Sequence, residues 1–401
     1  MGDHVVTLNA GSSSVKFALF ANESAWPRLV ASGQIDGLGA TPRFHVAVVD
    51  GEKYEKAKKY EKTRKLANHE QAIRLILGWI ETKFPDIVVG AIGHRVVHGG
   101  LDHSAPAIVD PAILADLRTL TPLAPLHQPH NLAGVEAAHA AFPSVPQVVC
   151  FDTAFHRGHA FVNDAYALPR EFYERGVRRF GFHGLSYEYI ARRMGEIDPV
   201  LACGRIIVAH LGAGASLCAM KNGRSVASTM GFSPLDGLPM GTRCGEIDPG
   251  LLLYLLDHDK MPVADLQHLL YEQSGLKGLS GVSSDMLELE ASDAPRAREA
   301  IDYFAHRIRM EIGALAATLK GLDALVFTGG IGEHSALVRA AVLDDMRWLG
   351  LTLDAAANNS NARRICDPAA ATPVFVLATD EEAMIAFHTI KTAGLTRARV
   401  A

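Results

Sequence analysis

Residues 4–20 read HVVTLNAGSSSVKFALF, and residues 205–226 read RIIVAHLGAGASLCAMKNGRSV. In the first stretch Val5, Val6 and Leu8 lead into Gly11-Ser12-Ser13-Ser14, after which Val15, Phe17 and Leu19 alternate with period two, the spacing of a half-buried strand. This is a β-hairpin with a loop of small residues. The second stretch repeats the layout: an apolar run, Gly212-Ala213-Gly214-Ala215-Ser216, another apolar run, then Asn222-Gly223, the dipeptide of a primed turn. Laying Asn9 over His210 puts Gly11 over Gly212 at an offset of 201 residues in a chain of 401. A period of that length is far above those of solenoids and reads as an internal duplication.

Between the hairpins the period changes to 3.6. Ile73, Ile76, Leu77, Ile80 and Phe84 form one helical stripe, and Ile301, Phe304, Ala305, Ile308, Ile312, Leu315 and Leu319 form a longer one stopped by Gly321. Strands mixed with such helices predict α/β layers. The Lys- and Glu-dense stretch Lys53–Lys65 reads as a solvated protrusion. No low-complexity linker divides the halves, so the repeat alone sets a boundary near Phe151–Ala154.

Composition narrows the partners. Lys and Arg number 39 against 44 Asp and Glu, a net charge of −5, which disfavours nucleic acid and acidic membrane surfaces as partners. Cys150, Cys203, Cys218, Cys244 and Cys366 are scattered, odd in number and lack metal-ligand spacing, as free thiols of a reducing cytosol do. The start MGDHVVTLNAG has no basic and apolar leader, and no apolar run reaches the roughly 18 residues of a membrane span. A cytoplasmic protein is expected.

Three glycine-rich stretches follow apolar strands and read as loops: Asn9 to Ser14, Gly212 to Ser216, and Gly329-Gly330-Ile331-Gly332-Glu333. Glycine lets backbone N–H groups close on phosphate oxygens, and small hydroxyls add donors. Walker A, H-R-D and D-F-G are missing, which excludes P-loop and protein-kinase architectures as far as motifs can, and the dinucleotide fingerprint is missing too. Three cationic stretches accompany the loops: Gly93 to Gly100, Arg179 to Gly184, and Gly241 to Gly245. Glycines bracket an Arg or His in each, predicting turns whose cationic heads could neutralise a transferring phosphoryl group. Asp152 ends the apolar run Gln147–Phe151, and Thr379-Asp380-Glu381-Glu382 fits a capping box in which Thr379 caps, Glu382 reaches back and Glu381 is left for another task. Magnesium, an oxygen-seeking ion that keeps several waters, needs only one or two such side chains.

The stretches LNAGSSSVKFALF, GHRVVHGG, LAPLHQPHNL, FDTAFH, RRFGFHGLS, HLGAGAS, GFSPLDGLPMGTRCGEIDPG, SGLKGLSGVSSDM, FTGGIGEHS and TDEEAMIA, spread from about Val5 to Ile385, resemble the acetokinase family. That family lies within the acetate and sugar kinase, heat-shock chaperone and actin superfamily. The resemblance implies duplicated ribonuclease H-like domains with an interlobe nucleotide cleft. Residues 1–152, completed by a C-terminal helix at 381–401, would form one lobe, and residues 153–380 the nucleotide-binding lobe. It implies a homodimer and reversible transfer of the ATP γ-phosphoryl group to acetate, giving acetyl phosphate and ADP, with Mg²⁺ or Mn²⁺.

By the same resemblance Asn9 and Glu381 lie nearest the metal, and Arg95 holds the acetate carboxylate. His183 and Arg243 stabilise the phosphoryl group, and Asp152 is the essential carboxylate. Ser12, Ser14 and Lys16 on the hairpin, His210-Leu211-Gly212-Ala213-Gly214, Asp285-Met286-Leu287 and Gly330-Ile331-Gly332-Glu333-His334 fall on nucleotide-binding segments. Val97, Leu126, Phe182 and Pro234 match a pocket for the substrate methyl group.

The chemistry agrees with this placement of charge. A carboxylate substrate is already ionised at pH 7, so no base is needed to activate it. Each close anion pair costs of order 4 kcal/mol at an effective dielectric near 20, and cations are the remedy. Asp152 is therefore expected to orient an arginine or the hydrated metal. Ala213 stands where the family usually has Asn, Leu287 where it often has Arg, and Leu185 and Tyr187 where Thr and His are usual; Gln128, Ala227 and His334 depart too. These departures predict retained catalysis with altered nucleotide affinity. A propionate or butyrate kinase is the nearest alternative, and a non-catalytic nucleotide-dependent switch the distant one.

Overall fold

A computed structural model describes residues 3–11, 14–39, 41–50, 53–55, 66 and 68–396, with the backbone alone at 50 and 53–55. Ser12 and residues 56–65 of the charge-dense stretch lie outside the described residues. The chain divides into unit 1, Met1–Ala154 with Asp380–Ala401, and unit 2, Phe155–Thr379.

In unit 1 the opening hairpin forms as read: β1 (His4–Ala10) pairs antiparallel with β2 (Ser14–Ala21), and Asn9 lies opposite Lys16. Strands β3 (Arg28–Asp36), β4 (Arg43–Asp50) and β5 (Lys53–Glu55) extend the sheet on one side. On the other, β1 runs parallel to β6 (Val89–Val96), β6 parallel to β8 (Gln147–Phe151), and β7 (Ala107–Ile108) closes the edge. Helix α1 (His69–Lys83) begins at Asn68, whose side chain accepts from Gln71 N–H at 3.0 Å, a cap of a kind that contributes about 1 kcal/mol. It buries the stripe Ile73, Ile76, Leu77 and Ile80 against Leu8, Val15, Phe17 and Leu19. Helix α2 (Gln128–Ala141) packs on the same face, so closely that a Cβ at Gly134 would meet Ala10 Cβ at 2.8 Å.

Unit 2 repeats the plan. Strand β9 (Arg205–Leu211) pairs antiparallel with β10 (Ala215–Lys221), and β10 with β11 (Arg224–Ser228) through Asn222 and Gly223 at φ 53 and 68, the primed turn expected. Strands β12 (Ala324–Thr328) and β13 (Val374–Val376) add in parallel beyond β9. The order β11-β10-β9-β12-β13 matches β3-β2-β1-β6-β8 of unit 1, strand for strand and direction for direction. Helix α3 (Gly184–Ile197) packs Tyr187, Ile190 and Met194 on Ile206, Val208, Cys218 and Val326. Helix α4 (Pro295–Leu319) buries the longer stripe; the left-handed residue that ends it is Lys320, φ 61, with Gly321 just beyond rather than at the stop.

Gly329–His334, read as a loop, is a short helix, α5: Thr328 is extended, Gly329 turns at φ 77, and Glu333 Oε1 accepts from Gly329 N–H at 2.9 Å, closing the first turn. The chain then re-enters unit 1 as α6 (Glu381–Thr392). Its cap is Asp380, which accepts from Ala383 N–H at 2.8 Å, not Thr379 as the capping-box spacing suggested. One residue later in the count, Glu382 is no longer placed to reach back. Helix α6 lies so close on β6 that a Cβ at Gly93 would meet Thr389 Oγ1 at 2.1 Å. Among the described residues no helix is long and apolar enough to cross a membrane.

Candidate active site

In unit 1 the chemistry gathers at the carboxyl ends of parallel strands, where open α/β sheets bind ligands. Arg95 lies on β6, one residue from its end; the bracketing glycines suggested a turn, but the ladder to Cys150 keeps Arg95 extended. Asp152 follows β8, its N–H still donating to Val96 O at 3.1 Å. The two side chains interlock. Arg95 Nε donates to Asp152 Oδ1 at 3.0 Å and Nη2 donates to Oδ2 at 2.6 Å, a charge-assisted fork on a carboxylate that is 1 % exposed. Arg95 Nη1 reaches Asn9 Oδ1 at 3.4 Å, and Glu381, the first residue of α6, lies 3.8 Å from Arg95 Nε. Asn9, Arg95, Asp152 and Glu381, four residues singled out in the sequence, thus form one cluster.

The cluster is short of positive charge. Burial pushes the Glu381 carboxyl up to about 7; Arg95 pulls it down, whereas Asp152 and Glu382 push it further up. Burial also opposes the charge on Arg95, yet Asp152 and Glu381 together hold the guanidinium above its ordinary value. An amide oxygen and a carboxylate beside a surplus of acid are the donors a hard divalent cation takes, and Asn9 and Glu381 could supply them. Lys16, opposite Asn9 and exposed, lines a cavity of about 430 Å³ with Ser32, Gln34, His45, Asp380 and Glu382. Ser14 O accepts from Gly11 N–H at 2.8 Å across the hairpin loop.

Asn131, which the sequence did not single out, and Gln128, noted there only as a departure from the family pattern, hold the turn after β6. Asn131 Oδ1 accepts from Val97 N–H at 3.0 Å while its Nδ2 donates to Ala10 O at 2.7 Å. Gln128, buried at the start of α2, accepts from His98 N–H at 3.3 Å and returns a bond to His98 O at 3.1 Å. His94, beside Arg95 but facing the other way, bonds Gln147 Oε1 at 2.7 Å, and burial lowers its pKa to about 4 against that bond.

Unit 2 is built differently. Gly181 at φ 70 and His183 at φ 57 put a left-handed histidine at the N-cap of α3, a rare conformation for a residue with a side chain. His183 Nδ1 lies 2.9 Å from Ser216 Oγ on β10. Its ring stacks on that of His210, on β9, at 4.2 Å between centroids. Arg243 Nη1 donates to Pro234 O at 2.8 Å. A Cβ built on Gly214 would lie 3.2 Å from His183 Nε2 and 3.3 Å from Arg243 Nη2, so both nitrogens converge over the Gly214 backbone. Behind them His156, fully buried, bonds Phe182 O through Nε2 at 3.0 Å and Ser225 Oγ through Nδ1 at 2.7 Å. Burial, reinforced by His159, lowers its pKa to about 3.

The remaining candidates are placed as follows. Asp285 caps a short helix through Leu287 N–H at 2.8 Å, Met286 is buried, and Leu287 is 69 % exposed. Glu333 is engaged with Gly329 and Thr379 N–H, while Gly330 and His334 are exposed on α5. Leu211 is buried, and Ala213 O receives Gly241 N–H at 3.4 Å. The methyl-pocket residues divide between the units, Val97 and Leu126 in unit 1, Phe182 and Pro234 in unit 2.

The model of the Acetokinase family matches residues 4–387. The chain belongs to the acetokinase family. It is 56 % identical over 392 residues to the acetate kinase of Methylocella silvestris, covering 96 % of this chain and 97 % of that one. With the acetate kinase of Rhizobium meliloti it shares 46 % identity over 388 residues, 97 % of this chain and 98 % of the other. Among solved structures, acetate kinase of Porphyromonas gingivalis matches with TM-score 0.86 at 36 % identity, over 97 % of this chain and 99 % of that one. A propionate kinase of Francisella tularensis matches with TM-score 0.85 at 34 %, over the same shares. The mixed α/β fold of this acetokinase, with its two sheets of one plan, is the fold of these kinases.

Proposed function

We infer that this acetokinase catalyses reversible transfer of the γ-phosphoryl group of ATP to acetate, giving acetyl phosphate and ADP. One observation carries the reading: Asp152 occupies the Nε/Nη2 edge of Arg95, and the Nη1/Nη2 edge, whose Nη1 makes only a long 3.4 Å bond to Asn9 Oδ1, has the shape that takes a second carboxylate. The acetate anion is that carboxylate. Asp152, with both oxygens taken by Arg95, acts as a positioning group and not as a base. In unit 2 His183 and Arg243 act on the phosphoryl oxygens, where preorganised donors lower the barrier most. Lys16 and Ser14, with Ser12, serve the phosphates from the hairpin, and His210 to Gly214, Asp285 to Leu287 and Gly330 to His334 serve the nucleotide.

Asn9 and Glu381 would hold Mg²⁺, or Mn²⁺, whose charge offsets that of the phosphates. Val97, Leu126, Phe182 and Pro234 would enclose the substrate's methyl group. We also propose a homodimer in the cytoplasm, where the five free cysteines stay reduced; light scattering checks the first. Residues 1–154 with the C-terminal helix, and 155–379, are proposed as the two ribonuclease H-like lobes. The likeness to a propionate kinase supports a second substrate, because one methylene is worth only about 1–3 kcal/mol of selectivity. The test is ATP-dependent acyl phosphate formation trapped with hydroxylamine across acetate, propionate and butyrate. Product with acetate, in excess over the longer acids, is expected; no product with any of them overturns the assignment.

A further inference from the structure

His183 and Tyr187 stand four residues apart at the start of α3, on the same face of the helix, with Tyr187 N–H donating to His183 O at 3.1 Å. Ser216, on β10, meets both: its Oγ lies 2.9 Å from His183 Nδ1 and 2.5 Å from the Tyr187 hydroxyl. Ser216 and Tyr187 are fully buried, so water has no part in settling these protons.

A serine hydroxyl carries one proton and can give it to only one of the two partners. A phenol is much the more acidic hydroxyl and the better donor, so Tyr187 donates to Ser216, and Ser216 donates to His183 Nδ1. The imidazole proton is then on Nε2, the nitrogen that converges with Arg243 Nη2 over Gly214. The opposite arrangement would point an Nε2 lone pair at phosphoryl oxygens and repel them. The neighbouring ring repeats the device: His210 Nδ1 lies 2.8 Å from Ser186 Oγ, and Ser186 accepts from Thr379 Oγ1 at 2.8 Å, which directs the Ser186 proton to His210. Two stacked imidazoles, each with Nδ1 on a serine backed by a second hydroxyl, are thus both set to carry the proton on Nε2.

We propose that Tyr187 and Ser216 are positioning residues that fix His183 as its neutral Nε2–H tautomer, so that it offers the transferring phosphoryl group a proton held in place beforehand. This deepens the proposed function and rests on His183 acting in that step. No proton is transferred; the hydroxyls set an orientation and a tautomer.

The experiment uses the full-length protein labelled with ¹⁵N-histidine, His183 being assigned by its loss in His183→Gln. Long-range ¹H–¹⁵N correlation is expected to show His183 with Nε2 protonated and Nδ1 bare. In Tyr187→Phe the two tautomers should mix, with kcat lower by about ten-fold and KM for acetate and ATP within about two-fold. Ser216→Ala should do the same and serves if Tyr187→Phe fails to fold. A protonated Nδ1 in the unaltered protein, or a tautomer and kcat unmoved in the folded variants, overturns the relay. His183→Gln with full activity would instead overturn the role given to His183, so the two failures are distinct.

Discussion

The two hairpins that open the units have the same geometry and different chemistry. In unit 1 Asn9 lies opposite Lys16; in unit 2 His210 lies opposite Ser216. The pairing shows that the offset of 201 residues holds only before the loop, because the second loop is one residue shorter: Ala10 pairs with Val15, but Leu211 with Ala215. Position for position, an exposed cation in one copy answers a buried hydroxyl in the other. The strand ends diverge likewise. Unit 1 concentrates formal charge in Arg95, Asp152 and Glu381, whereas unit 2 offers imidazoles, hydroxyls and Arg243. Under the function proposed above, a duplicated scaffold separates the holding of an anion from the stabilising of a phosphoryl group.

The difference can be broken most severely at its most charged point. Arg95→Ala and Asp152→Asn should each lower kcat/KM for acetate by roughly 10³-fold in the hydroxylamine assay. The second should do so without moving the pH profile, and a lost acidic limb would make Asp152 a base after all. Arg243→Ala in unit 2 should lower kcat by roughly 10²-fold with little change in KM for acetate. Lys16→Ala should raise KM for ATP by about ten-fold. Its counterpart change Ser216→Ala should act on kcat, so equal effects on the same parameter would erase the contrast between the hairpins.

Stability offers a subtler contrast. Burial holds His156 at about 3, reinforced by His159; burial and Arg157 hold His159 at about 4; burial holds His94 at about 4. Unfolded, each would titrate near 6.5. The folded values are depressed, so stability is complete above about pH 6.5 and is lost as pH falls from there toward 4. Each buried imidazole contributes up to about 1.4 kcal/mol per pH unit. Two of the three are in unit 2, and in unit 1 the Glu381 carboxyl, raised to about 7, takes up a proton in the folded state over the same range and offsets the loss at His94, so hydrogen exchange at pH 7, 6 and 5 should show unit 2 weakening while unit 1 changes little. The smallest effect is expected from Ala213→Asn, a change of a few-fold in KM for ATP with kcat unaltered.

Much of the scaffold was legible because hairpins and amphipathic helices leave local periodic signatures. Both hairpins, the Asn222-Gly223 turn and the buried stripes of α1 and α4 stand where period and turn chemistry put them. Local rules failed where a long-range partner decided. Arg95 is extended because β8 pairs with it, whatever its glycine neighbours prefer. Asp380 took the cap from Thr379, whose N–H and hydroxyl are engaged by Glu333 and Ser186 of unit 2. Ser216 and Tyr187 were each named in the sequence, one at the end of a glycine-rich stretch and the other as a departure from the family pattern, but their link was hidden for the same reason: only the packing of α3 on β10 joins them. The spacing of His183 and Tyr187, one helical turn, was the available signal.

Helix α6 carries a consequence for how the molecule is made. Residues 155–379 lie between β8 and the segment that supplies Glu381 and packs Thr389 on Gly93. Unit 2 is contiguous and can fold as soon as it has been synthesised, whereas the sheet of unit 1, translated first, keeps one face of β6 bare until the ribosome has added the closing helix. The guanidinium of Arg95 thus acquires its full set of carboxylates last, which would delay a working enzyme until α6 has been translated.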